Sequence, residues 1–156
     1  MFDIIDLNFQ GQPAVIASYV LHGPRGVALI ETGPASSYPA LKAGLAGLGI
    51  ELAQITDILL THIHLDHAGA AGWLAQESGA LVHVHAVGAP HLADPAKLLA
   101  SAARIYGDAM DRLWGETIAV PAGQVRALAD GDMIDAAGLR VQAVDTPGHA
   151  WNHMAY

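Results

Sequence analysis

Apolar positions in the first third of the chain fall in short runs broken by glycine and proline. Residues 2–9, 14–21 and 27–31 are rich in branched and aromatic side chains, which suit the half-buried surface of a strand. His22-Gly23-Pro24-Arg25-Gly26 predicts a hairpin connection between the second and third runs. Past Thr32-Gly33-Pro34 the spacing changes, and Leu41, Leu45 and Leu48 predict a helix over residues 38–48. Gly44, Gly47 and Gly49 weaken that helix, so it must rely on packing. Ile58-Leu59-Leu60 predicts a short buried strand, followed by a helix over 69–76 and a strand over 81–85. Between 98 and 114 the apolar residues repeat at the helical period, with Ser101, Arg104, Asp108 and Arg112 on the opposite face. Late strands are predicted over 125–129 and 139–144, with Asp130-Gly131-Asp132 as a turn, and another strand begins at 153–156. This order suits an α+β layered domain better than a strictly alternating parallel sheet.

Composition narrows the picture. The 156 residues fit one domain, and 53% hydrophobic against 14% charged residues allow a large core and argue against disorder. Seven basic against 15 acidic residues give a net charge of −8, which disfavours nucleic acid and anionic membrane as partners. The expected partner is a small-molecule substrate, with homo-oligomerisation left open. The absence of cysteine excludes disulfides and zinc–thiolate sites. The first six residues carry two acids and no basic residue, unlike the start of a signal peptide. Apolar runs such as 14–21 fall well short of the roughly 20 residues that span a bilayer. A cytoplasmic protein is therefore expected.

The nine histidines cluster. His62 and His64 stand two apart just after an apolar strand, and in extended backbone such residues point to the same side. Asp66 and His67 follow where the chain must turn. Imidazole and carboxylate without thiolate suit zinc, manganese or iron. The alternative, a set of solvated loop histidines, explains four potential ligands in six residues poorly.

The segment Thr61-His62-Ile63-His64-Leu65-Asp66-His67 resembles the signature of the metallo-β-lactamase superfamily, which includes glyoxalase II and lactonases. Leu29-Ile30-Glu31-Thr32-Gly33 resembles the family's upstream strand-end motif, and Thr146-Pro147-Gly148-His149 the segment supplying its third histidine. All three occur in the family's order. The resemblance implies a four-layer αββα sandwich, of which residues 1–156 cover about the first half. It implies that His62, His64 and His149 hold one metal and that Asp66 and His67 hold or border a second. The cofactor implied is Zn2+, one or two per complete site, with Mn2+ or Fe2+ as alternatives. The chemistry implied is hydrolysis of an ester, thioester, lactone or related substrate by a metal-activated hydroxide, oriented by Asp66 as the catalytic carboxylate.

Two departures from the family pattern matter. Glu31 stands where the family usually has Asp, a position that orients ligands without binding metal. The bridging Asp and last His that the family supplies downstream do not occur within the seven residues after His149. The expectation is that this chain is the N-terminal part of a longer protein. Two rival functions follow: a mononuclear-iron oxidoreductase acting on thiol compounds, and a metal-binding fragment without catalysis.

Other candidates carry weaker signals. His83 and His85 sit two apart on a strand, as packed residues or as support for the cluster. His153 either lines the site or packs elsewhere, and His22 and His91 are expected to be solvated. The 98–114 stripe is either a core helix or part of a cap over the metals formed by residues 86–122. In the second case Tyr106, Met110, Trp114 and His153 would shape a substrate pocket.

Overall fold

The computed structural model describes residues 2–156. Six strands, β1 (Phe2–Asp6), β2 (Ala17–Gly23), β3 (Gly26–Ile30), β4 (Ile55–Leu59), β5 (Leu81–His85) and β6 (Val125–Leu128), form one sheet in sequential order. The pairs β1–β2 and β2–β3 are antiparallel, whereas β3, β4, β5 and β6 run parallel. Connection length explains the change. Gly23 pairs with Gly26 across a tight hairpin, while each parallel step carries helix in its crossover. These helices are α1 (Tyr38–Gly47), then α2 (Leu65–Ala68) and α3 (Ala71–Ser78), then α4 (Ala89–Ala93), α5 (Ala96–Tyr106) and α6 (Met110–Trp114).

One face of the sheet is buried under helices. Ile5, Val20, Leu29, Ile58 and Val82 share a core with Leu41, Leu45 and Leu74. Gly44 is needed there, because a Cβ at that position would lie 2.3 Å from Ile5 Cγ2. The other face receives a hairpin of β7 (Met133–Ala136) and β8 (Leu139–Gln142), whose Ala136 and Ala137 pack on Ala28 and Leu59. A short antiparallel pair, β9 (Val144–Asp145) with β10 (Met154–Ala155), lies beyond it. The helical layer, the first sheet and the beginning of a second sheet belong to the α+β, αββα architecture expected from the sequence. Among the described residues no helix is long and apolar enough to cross a membrane.

Several boundaries differ from the sequence expectation. The first strand stops at Asp6, whose carboxylate accepts the amides of Asn8 (2.9 Å) and Ala14 (2.7 Å) and folds the next segment into a loop. Leu48 is 41% exposed rather than on the buried stripe of α1. The predicted 98–114 helix is broken at Gly107, where φ is 51°, into α5 and α6 with a 3-10 turn between them. Strand β7 went unpredicted. The Asp130–Asp132 turn exists, but it passes the chain from the first sheet to the β7–β8 hairpin instead of pairing the late strands with each other.

His83 and His85 do lie on one face of β5, yet neither belongs to the histidine cluster. His83 is buried and sits 2.8 Å from Asp57 Oδ1 through Nε2. His85 accepts the Val87 amide at 3.0 Å and approaches Asp145 at 3.6 Å. His22, expected to be solvated, contacts Asp3 at 2.6 Å on the exposed face of the β1–β2 pair.

Candidate metal centre

Parallel strands present their carboxyl ends to a common edge, and ligand sites of open α/β sheets lie there. Here β4 ends at Leu59, and residues 60–64 carry the chain out over that edge before α2 begins at Leu65. His64 is the residue preceding α2, in extended conformation, and its carbonyl accepts the amides of His67 (3.0 Å) and Ala68 (2.8 Å). That turn leaves the rings of His62 and His64 with centroids 4.5 Å apart and brings His67 in as well, 4.1 Å from His62. The helix therefore starts earlier than the sequence suggested, within the cluster itself.

His149 comes from the far end of the chain. The loop bearing it is tied back by β10, where the Met154 amide donates to the Thr61 carbonyl at 2.8 Å. As a result His62 Nε2 lies 3.1 Å from His64 Nδ1, and His64 Nδ1 lies 3.1 Å from His149 Nε2. One nitrogen from each of the three rings lies within 4.8 Å of the others. Two nitrogens about 2.0–2.1 Å from a tetrahedral zinc are roughly 3.3 Å apart, so these spacings fit one ion held by the three rings. His62 Nδ1 is 2.9 Å from Thr61 Oγ1. The tautomer that donates to this hydroxyl leaves Nε2 as a lone-pair donor to an ion.

Electrostatics divide the cluster in two. Burial first, then the neighbouring imidazoles of His67, His64, His153 and His149, push His62 down to about 3. Burial and His149 also lower His64, against the pull of Asp66. These two rings are held neutral, the form that binds metal. His67 behaves oppositely. Burial opposes its charge, but Asp66 and Glu31 outweigh burial and raise it to about 10. Its ring lies 3.3 Å from Asp66 Oδ2 and 3.4 Å from Glu31 Oε2. Burial likewise opposes the charge on Asp66, and the His67 contact overrides it, holding the carboxyl below its ordinary range.

Glu31 is 5% exposed and follows β3 with φ 65°, a left-handed conformation uncommon for a residue with a side chain. Ser18 donates to its carbonyl at 2.7 Å, and its own amide donates to Leu59 at 3.0 Å. This backbone aims the carboxylate at the Thr61 amide, 3.0 Å from Oε1, with Oε2 beside His67. The longer side chain thus reaches both the histidine loop and His67. Thr32 adds a second tie that sequence reasoning passed over: its amide (2.9 Å) and its hydroxyl (3.0 Å) both donate to the His67 carbonyl. Its position directly after Glu31 was the available signal.

A cavity of about 390 Å³ opens beside the triad. His64, Asp66 and His149 line one part of it, and Leu98, Tyr106 and Trp114 line another. Ser101, placed by sequence on the polar face of the helical stripe, lines it too. Met110 is not among the lining residues. His153 also falls outside this cavity; it borders a separate one of about 350 Å³ with Glu31, Asp66 and His67. There its Nδ1 meets Thr146 Oγ1 at 2.7 Å, and its ring centroid lies 5.2 Å from that of His62.

The chain is similar to known proteins over most of its length. A hydroxyacylglutathione hydrolase from Rhodopseudomonas palustris is 31% identical over 140 residues, which is 88% of this chain and 41% of the relative. An atrochrysone carboxyl ACP thioesterase from Aspergillus fumigatus is 30% identical over 141 residues, covering 89% of this chain and 25% of that protein. A subclass B3 metallo-β-lactamase of Bradyrhizobium japonicum superposes with a TM-score of 0.67 at 31% identity, over 89% of this chain and 48% of the enzyme. The chain therefore spans half or less of each of these three proteins. The sequence profile of the Metallo-beta-lactamase superfamily matches residues 11–154, and the chain belongs to that superfamily.

Proposed function

We propose that the protein is a zinc-dependent hydrolase of a small ester, thioester or lactone, with His62, His64 and His149 as the ligands of the ion. One observation carries this reading: Nε2 of His62, Nδ1 of His64 and Nε2 of His149 converge at the carboxyl edge of the parallel strands with spacings that fit tetrahedral coordination. The names of two relatives, a hydroxyacylglutathione hydrolase and an ACP thioesterase, lend support to thioester chemistry.

A divalent ion in this position supplies a Lewis acid and activates water near neutral pH. The protein's own groups do the rest. Asp66, partly exposed in both cavities, holds a carboxylate acceptor that can orient the attacking water and take its proton. His67, between Asp66 and Glu31, fixes the position of that carboxylate through its contact at 3.3 Å. Thr61 and Glu31 fix the loop that carries His62. Within residues 86–122, α4 and Val120 belong to the main core, whereas α5 buries only Ala102 and α6 buries no residue, yet both flank the cavity, so the cap is the α5–α6 part.

Elemental analysis of the purified protein beside its His62→Ala/His64→Ala variant tests the proposal. The expected result is about one zinc per chain, lost in the variant together with ester or thioester hydrolysis. Full metal occupancy in the variant would refute the ligand assignment. Iron with oxygen uptake on thiols and no hydrolysis would replace a hydrolase by an oxidoreductase.

A further inference from the structure

The walls of the cavity beside the triad bear on what the enzyme accepts. Leu98, Ile105, Tyr106 and Trp114 form its side, and His64 and His149 stand at its metal-facing part. The aromatic part is assembled in advance. Tyr106 meets Trp114 edge to face at 5.0 Å between ring centroids, and Phe9 stacks behind Trp114 at 5.7 Å. Ile105 is 74% exposed, although it is a large apolar residue on an amphipathic helix, and the surface it offers adjoins the cavity. No Lys or Arg occurs among the described residues that line it. Arg112, on α6, is engaged elsewhere by Gln10, to whose Oε1 it donates at 2.9 Å. The carboxylate in the lining is that of Asp66.

An anionic acyl group lying along the aromatic wall would lose its hydration and find no Lys or Arg there, the positive charge being at the histidine end where the scissile carbonyl has to sit, with Asp66 beside it. An apolar chain would instead cover Ile105 and Leu98 and lie along the Tyr106–Trp114 surface, with its carbonyl directed to the histidines. We propose that this cavity is an acyl-chain subsite, so that the enzyme acts on esters or thioesters of uncharged medium-chain acyl groups. This inference rests on the hydrolase reading above and names its substrate class.

Two measurements on the metal-loaded protein separate the two ideas. The first is kcat/KM for p-nitrophenyl esters from acetyl to decanoyl and for an anionic succinyl thioester. The second is equilibrium binding of non-hydrolysable alkan-2-ones of increasing length, followed by tryptophan fluorescence. Each added methylene should raise kcat/KM and tighten ketone binding by up to about fourfold, the gain of taking one CH2 out of water, until the chain fills the cavity. Ile105→Lys changes an exposed position and should leave metal content and melting temperature intact. It should flatten both chain-length trends and improve turnover of the succinyl substrate. Hydrolysis without chain-length dependence, or faster with succinyl than with octanoyl, overturns the acyl subsite and leaves the hydrolase standing. Length-dependent ketone binding that Ile105→Lys abolishes, with no turnover of any ester, upholds the subsite and rejects the hydrolase. Neither binding nor turnover overturns both.

Discussion

Replacing Asp57 by Ala removes the acceptor that joins three parts of the fold. Its Oδ1 accepts from His83 Nε2 at 2.8 Å, and its Oδ2 accepts the Ala137 amide at 2.8 Å and the Thr56 hydroxyl at 2.7 Å. Asp57 and His83 are each 5% exposed, and Ala137 is 3% exposed, so two of the three donors cannot turn to water. His83 Nδ1 already lacks a partner among the described residues, which leaves that ring no second anchor. Orphaning a buried donor costs about 1–3 kcal/mol, and breaking a buried pair by removing one member about 3–5 kcal/mol. The expected loss is therefore about 3–5 kcal/mol of the roughly 5–15 kcal/mol that such a domain has. At roughly 2–4 °C per kcal/mol, the melting temperature should fall by roughly 6–20 °C.

Circular dichroism melting at neutral pH measures this, and repetition in acid tests its electrostatic part. Burial pushes the Asp57 carboxyl up, but hydrogen bonds from His83, Thr56 and Ala137 outweigh it and hold the group below its ordinary value. A carboxyl depressed by folding stabilises fully above its unfolded value of about 3.9 and loses that contribution as pH falls through the folded value. The gap between wild type and Asp57→Asn should thus narrow as the pH drops below about 4. Metal binding by the folded variant should be unchanged, since His83 takes no part in the triad. A melting temperature within about 2 °C of wild type for Asp57→Ala would refute the reasoning.

Three further variants probe the supports of the site. Glu31→Gln keeps an acceptor for the Thr61 amide but removes the charge beside His67; chelator competition should show metal affinity weakened by about 10–100-fold, and wild-type affinity would contradict the orienting role. Gly33→Ala places a side chain at φ 71° with its Cβ 2.1 Å from Leu7 Cδ1, and urea unfolding should reveal a loss of about 1–3 kcal/mol. Gly72→Ala would set a Cβ 2.2 Å from the Ile118 carbonyl oxygen; overpacking of about 1–3 kcal/mol is expected in urea unfolding, and unchanged stability would show that residues 117–120 yield freely.

What could be read in the sequence was what depends on neighbours along the chain. His62 and His64 share a side because extended backbone alternates, and the turn that begins α2 brings His67 back against His62. The strand and helix order followed from apolar spacing, and the family pattern from three motifs in sequence order. What the sequence left open was decided by register, packing and contacts between distant segments. His149 reaches His64 because β10 hydrogen-bonds to Thr61, and Glu31 reaches both Thr61 and His67 because its backbone turns left-handed after β3. Asp57 and His83 meet because β4 and β5 are parallel neighbours, 26 residues apart in sequence. The amphipathic stripe from 98 to 114 looked continuous because periodicity reports which face is apolar. Whether the backbone can break at Gly107 and bend around a cavity depends on the groups that pack against both halves. Local spacing encodes direction and face; the pairing of distant segments is settled only when the whole core closes.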